Sequence, residues 1–486
     1  MHSSEAWMLG SYRRLDLLDV PAFHLAPDAV AALHAPRGVR HAMLVELATD
    51  WPQLALPLGE HLVGGAVPAA QARPLDRLLV LLRHLASPLR FEPQNVYGVH
   101  RGVPSPRCQY PLRLMLLSRA AGGPRLWRYL PEHHALEDLG LHPAWQASLG
   151  DDELAVVGVA RFWALADKYG EFAPYPTMLE AGMAQAQLLH LGAALGWQGA
   201  ALPESALPGA ALLGAYEVGA YGWRGAAGGV AEDLERLPRR ELRVADEWPS
   251  AGLEERFPRL APLSEVFAPA GDAGRVPASE QATDAAAAAA AVSAGSADLF
   301  ALMRTRHSGN DAVGMAPLLR PLPAGSRALL LARWRALTAR RGRVAGEAEL
   351  SAVCAWLDAD APGVYDLAGE PLPAPAGRLD ELLQRSLPRA DMRWSMAPFK
   401  AAFFLCVDPV HTRAAHGEAG LRRLHLAAGA AAQDLSLAAA SLGLFARPMR
   451  MLREPVLERG LSLPGLPVYQ VLCGLNRSTN LSWELL

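Results

Sequence analysis

Two stretches of the chain carry apolar residues at helical spacing on nearly every face: EAGMAQAQLLHLGAALGW from Glu180 and HLAAGAAAQDLSLAAASLGL from His425. Both are rich in Ala and Gly, the pattern of a fully buried helix packed closely on another helix. Each keeps a Gly, then a Gln, then Leu-Gly, so that Gly182 precedes Gly196 and Gly429 precedes Gly443 by the same 14 positions. That spacing is about four turns, and the last glycine is a stop signal. The pair reads as an internal repeat, against the alternative of two unrelated helices in an Ala-rich chain. Alternating stretches at 110–118, 124–131, 399–407 and 466–474 read as strands beside these helices. The expected architecture is α+β in each half. A seam rich in Ala, Gly, Pro and Ser at 268–298 divides the halves and reads as a linker, its Ala run at 285–291 being a spacer helix or plain linker.

Composition supports two large domains, since 486 residues exceed what one ordinary core holds. The expected division is an N-terminal segment of unknown role (1–75), a first domain (76–225), a linker and interdomain segment (226–297) and a second domain (298–486). With 46 Lys plus Arg against 49 Asp plus Glu, the net charge of -3 gives no global field to attract nucleic acid or anionic lipid. The four cysteines are far apart and form no CxxC, which suits a reducing cytoplasm and offers no zinc clamp. The start lacks a secretion-signal pattern, and no apolar run is long enough to span a membrane. No P-loop, GxGxxG, GxSxG or HExxH is present.

Chemistry is suggested by three segments. RTRHSGND places Arg306, His307 and Ser308 in a loop after a short helix at 298–305. A planar guanidinium, a cationic or donor ring and a hydroxyl presented together suit a phosphate, although a solvated basic loop would read the same way. RGVPSPRCQYPLRLMLL, followed by PRLWRYLPEHHALEDL, carries Ser105, Arg107 and Gln109 on a Pro-rich loop. RFWALADKYGEFAPYPTMLEAG, residues 161–182, carries Lys168 and Tyr169 just ahead of the first buried helix. The adjacent His133 and His134 read as a surface turn, since neighbouring residues point apart and no third ligand is near.

Together these segments resemble the nitroreductase superfamily, and within it the SagB-type dehydrogenases that aromatise azoline rings in ribosomally made peptides. The resemblance implies two fused, diverged nitroreductase-like domains, each an antiparallel sheet with buried central helices, forming an intramolecular pseudo-dimer. It implies FMN as cofactor. Arg306, His307 and Ser308 would hold its phosphate and ribityl chain, with Asn310 where the family usually has a basic residue and Arg477 as a late phosphate contact. Ser105, Arg107 and Gln109 would reach the isoalloxazine edge, and Lys168 with Tyr169 would be the catalytic pair. A proton must leave the ring as hydride leaves to the flavin, so a base is useful there. Departures from the family pattern are Met183 for a usual His and Gln187 for a usual Asn. Because the phosphate grip lies in one half and the Ser loop with Lys168 in the other, one competent composite site and one decayed site are expected. The substrate would be a peptide or small molecule, with other biosynthetic enzymes as further partners. The alternatives are an NAD(P)H-dependent nitro or quinone reductase and a flavin-less, peptide-binding scaffold.

Overall fold

The computed structural model describes residues 39–269 and 297–485, apart from 51, 96, 121–122, 142–148, 151–152, 209–212, 214–215, 246, 248, 250–251, 310–316, 374, 376, 388–394, 451 and 478–481. The Ala run at 285–291 and nearly all of the expected linker lie outside the described residues. Six helices frame the site: α1 (Pro74–Ala86), α2 (Trp163–Tyr169), α3 (Pro174–Ala194), α4 (Leu299–Thr305), α5 (Ser326–Arg341) and α6 (Gly420–Ala440). No helix among the described residues is long and apolar enough to cross a membrane.

The two expected repeat helices are α3 and α6, buried along almost their whole length and packed on each other. They cross where Gly182 meets Gly429, so closely that a Cβ on Gly182 would strike the Leu426 backbone and one on Gly429 the Leu179 backbone. The two Gln positions meet a little further along, Gln433 Nε2 donating to Gln187 Oε1 at 2.8 Å. Both helices stop alike. Gly196 and Gly443 take φ of +70° and +71°, and the N–H groups of Trp197 and Leu444 reach back to the carbonyls of Gly192 and Ala439. This is the six-to-one bond of a Schellman stop, which needs a left-handed residue and therefore favours glycine.

Two antiparallel sheets flank the helices. The six-stranded sheet runs, in space, Pro371–Leu372, Gly363–Tyr365, Leu350–Trp356, Ala401–Val407, Leu466–Gly474 and Phe445–Met449. The eight-stranded sheet contains the same order, as Ala135–Leu141, Gly123–Leu130, Leu112–Ala120, Glu153–Arg161, Glu217–Ala226 and Gln198–Ala201. Four of these strands coincide with stretches expected from the sequence. Their central members are buried on both faces: Leu154 and Val156 join the core shared with α3 and α6, while Ala155 and Val157 pack in a separate outer cluster.

The larger sheet adds Val39–Glu46 and Arg239–Ala245, paired with each other from Val39 opposite Ala245 to Val45 opposite Arg239. The boundaries expected at 75 and 225 therefore cut across one sheet. Arg239–Ala245 escaped detection because it is an edge strand with few buried residues, whose outward Arg and Glu side chains break any apolar run. A small third sheet joins Trp483–Glu484 to Arg90–Phe91 and Val99–His100, carrying the end of the second half onto the first.

Candidate functional site

A cavity of about 600 Å³ opens between the halves. The first half contributes the loop from Pro104 to Cys108 with Tyr97, Tyr110, Tyr169, Leu179 and Met183. The second half contributes Arg304 to Gly309, Arg447, Arg450, Tyr469 and Asn476.

The Pro104–Tyr110 loop is held in an unusual conformation. Prolines at 104, 106 and 111 block regular structure, and Arg107, Cys108 and Tyr110 all take positive φ, between 48° and 52°. Non-glycine residues there cost on the order of 1–3 kcal/mol each, and such strain gathers at functional sites. Local bonds over-determine it: Tyr110 N donates to Ser105 Oγ at 2.8 Å, Cys108 N to Ser105 O at 3.2 Å, and Tyr110 Oη to Val99 O at 3.0 Å. Ser105 Oγ itself donates to Glu180 Oε2 on α3 at 2.6 Å.

Opposite this loop, α4 is capped by Asp298, which accepts from Ala301 N at 2.7 Å, and it delivers Arg306 at its end. Arg90 from the first half donates to the carbonyls of Arg304 and Arg306 at 3.0 Å each, tying the loop in place. Arg306 Nε donates to Gly102 O at 3.0 Å, while its Nη1 is buried with no protein partner. Burial and neighbouring Arg90 bring its pKa down to about 10, which still leaves it charged at neutral pH. His307 is different. Burial, with Arg90 and Arg306 nearby, pushes it down to about 4, so at neutral pH it is an uncharged ring hydrogen-bonded to Gly309 N and the Asn476 amide. Its Nδ1 accepts from Gly309 N at 3.2 Å, and of the two forms expected for this residue burial favours the uncharged ring. Gly309 follows at φ +70°, where a Cβ would strike the Phe445 ring.

The residues singled out from the sequence distribute unevenly. Ser105, Arg107, Tyr169, Arg306, His307 and Ser308 all line the one cavity. Gln109 does not; its amide turns back to Arg107 O at 3.2 Å. Arg477 is exposed and off the wall, and Asn310 lies outside the described residues. Lys168 is buried behind the wall, its Nζ 5.5 Å from the centroid of the Tyr97 ring and without a hydrogen-bond partner. Burial, and then Arg107, lower its pKa from the usual lysine range. Burial pushes Tyr169 up to about 12, keeping its phenol protonated.

Sequence reasoning missed most of the charge. Arg90, Arg304, Arg447 and Arg450 join Arg107 and Arg306 on the walls, against two wall carboxylates, Glu92 and Glu484. Glu92 already pairs with Arg90 at 2.9 Å and Arg450 with Glu454 at 2.5 Å. The cavity is therefore built for an anion with an apolar body, since Leu89, Val103, Phe172, Leu179 and Met183 supply its remaining surface. Arg304 opens the RTRHSGND run, but Arg90, Arg447 and Arg450 are scattered along the chain and no local motif announces them.

Comparison with known proteins bears on the fold. The solved structure of a candidate nitroreductase from Anabaena variabilis aligns with 93% of this chain and 97% of its own, at a TM-score of 0.63 and 17% identity. Another from Ralstonia eutropha aligns with 37% of this chain and 88% of its own, at a TM-score of 0.29 and 19% identity. No curated protein matches the chain. The nitroreductase family model matches residues 275–476, so the chain carries a nitroreductase-family domain there, within a mixed helix and sheet fold of nitroreductase type.

Proposed function

We propose that this protein is an FMN-dependent oxidoreductase that dehydrogenates an azoline or similar heterocycle in a ribosomally made peptide or a related small molecule. One observation carries the reading: a buried guanidinium from the second half, Arg306, leaves its Nη1 without a protein partner while lining a cavity that the first half closes with Ser105 and Tyr169. An orphaned buried cationic donor costs free energy unless something anionic meets it. The FMN phosphate fits that demand, and the cavity lies within the roughly 300–1,000 Å³ usual for cofactor pockets. Bound FMN would supply a two-electron acceptor. Arg306 and Ser308 would hold its phosphate, with His307 as a neutral donor, and Ser105 and Arg107 would face the ring edge. Lys168 would accept the proton leaving the heterocycle, being able to serve because burial already disfavours its charge, with the protonated Tyr169 phenol on the cavity wall as a hydrogen-bond donor beside it.

We further propose that the halves are fused copies with a single competent site. The offset of 247 that takes Gly182 to Gly429 also takes Gly170 (φ +54°) to Gly417 (φ +58°) and Gly196 to Gly443, and the six-strand order recurs. Under that offset Lys168, Tyr169 and Glu180 become Ala415, His416 and Ala427. His416 is taken up by Glu349 at 3.1 Å and Arg423 at 3.1 Å, so the second position holds an ion network in place of a ligand wall.

The test is the visible spectrum of the purified protein and the flavin released per chain. About one FMN per chain is expected; two would sink the single-site proposal, and none after incubation with FMN would sink the oxidoreductase. The seat of Lys168 behind the wall favours a second reading, a nitro or quinone reductase drawing hydride from NAD(P)H, which has no need of that base. Flavin reduction by NADPH with no reduction by a thiazoline peptide would select it.

A further inference from the structure

Glu180 is a deeply buried acid beside the cavity, and the mechanism above leaves it unused. It sits on α3, almost wholly buried, one hydrogen bond behind Ser105 on the cavity wall. On its other side lies a void of about 20 Å³ lined by Arg101, Tyr110, Arg113, Glu180 and Tyr221. A void of that size accommodates one water, and its polar lining offers the partners a water needs. Arg101 continues outward, donating to the exposed Glu132 at 3.3 Å. Ser105 on the cavity wall thus joins Glu180, Glu180 borders the void, and Arg101, which also lines that void, reaches the exposed Glu132.

We infer that Ser105 and Glu180 form a proton relay between the cavity and the outside, resting on the oxidoreductase reading above. A proton leaving the cavity binds Ser105 Oγ as the Ser105 Oγ–H bond breaks and its proton bonds to Glu180 Oε2. The resulting carboxylic acid passes the proton to water in the void and returns to carboxylate, so one proton crosses and nothing is oxidised. Lys168 cannot do this alone, because its enclosed Nζ has no hydrogen-bond partner to hand a proton onward. Ser105 is well placed for the exchange, since it accepts from Tyr110 N while donating to Glu180, which fixes its hydroxyl toward the acid.

The groups facing Glu180 agree with a carboxyl that changes charge near working pH. Burial is the largest influence and raises its pKa, while the Ser105 hydrogen bond and the charges of Arg101 and Arg161 pull it back, leaving it pushed up to about 8. Tyr221 and Tyr469 also face it, and burial keeps both protonated. Arg113 lines the far side of the void, already paired with Glu217 at 2.8 Å.

The test uses FMN-loaded protein, a thiazoline peptide as probe and dissolved oxygen as oxidant, beside an infrared titration of the carboxyl in the protein without substrate. Glu180 should titrate near pH 8, and Ser105→Ala should move that titration upward because a donor to the carboxylate is lost. Steady-state turnover should rise with pH through the same region, as the accepting carboxylate forms. Glu180→Gln, which keeps shape and flavin content, should perform its first turnover at the wild-type rate and later ones on the order of 10²-fold slower, with the pH limb gone. A carboxyl titrating in the ordinary range overturns the relay, as does a Glu180→Gln variant slowed equally in every turnover or in none. A protein that binds no FMN overturns the oxidoreductase reading and the relay with it, whereas the infrared result alone leaves that reading standing.

Discussion

Gly182→Ala tests whether the helix crossing sets the cavity. A Cβ at Gly182 would lie 2.8 Å from the Leu426 carbonyl carbon and nearer still to its oxygen, where ordinary contact begins at 3.4 Å. The helices must therefore part by more than half an ångström. The obstacle is backbone, so no rotamer change relieves it. Overpacking costs about 1–3 kcal/mol, and the upper end applies here. Alanine's better helix propensity returns about 1 kcal/mol, leaving a net loss of about 2 kcal/mol. At roughly 1–2 °C per kcal/mol for a unit of this size, the melting temperature should fall by roughly 2–4 °C. The site should feel the same movement, because α3 carries Leu179 and Met183 into the wall while the opposite wall belongs to the other half. FMN binding should weaken at least tenfold, about 1.4 kcal/mol. Gly429→Ala should behave alike, since its Cβ would meet Gly182 Cα at 3.0 Å, and the double variant should lose less than the sum because one separation relieves both clashes. Thermal melts and flavin fluorescence titration measure these effects. A Gly182→Ala protein with unchanged melting and unchanged FMN affinity would refute the argument.

Arg306→Ala should weaken FMN binding by roughly 10- to 100-fold, the loss of a charge-assisted bond worth about 1.5–3 kcal/mol; an unchanged dissociation constant would remove Arg306 from the phosphate site. Asp434→Asn should cost about 3–5 kcal/mol, because Asp434 is buried and accepts from Arg341 Nε and Thr338 Oγ1 at 2.8 Å and meets His190 Nε2 at 2.9 Å. Urea melts read this loss, and a midpoint equal to wild type would count against it. Acid should destabilise the fold early. Burial holds His84 down to about 3 and His307 and His425 to about 4, against an ordinary value of 6.5. Folded values below the unfolded one mean the unfolded chain binds more protons between these limits. The histidines' contribution should therefore be full above pH 6.5 and fall as pH drops toward 4, three groups against the opposite trend of Glu180, so that the melting temperature is lower at pH 4 than at pH 6.5 and an equal or higher one at pH 4 would contradict it.

By itself the sequence determined what depends on local pattern. All-round apolar helices with glycine stops announce α3 and α6, alternating or continuous apolar runs announce four strands, and short polar runs mark Arg306, His307, Ser308, Ser105 and Tyr169 as a possible constellation. Periodicity of 3.6 or 2 is written into neighbouring residues, so such elements survive without tertiary information. Only the tertiary structure decided how they meet. It brings Ser105 and Glu180, 75 positions apart, to 2.6 Å, sets Lys168 behind the wall, turns Gln109 away, and gathers six arginines from helix, strand and loop positions in both halves. It also recruits into the larger sheet Arg239–Ala245, whose polar edge pattern hides it, and Val39–Glu46, which lies between that strand and Ala135–Leu141. The reason is physical: the direction of a side chain and the charge it keeps follow from strand register, helix crossing and burial by distant segments. His307 illustrates this, since burial by distant segments, and then the charge of Arg90 more than two hundred positions away, turns the basic residue of a short motif into a neutral ring.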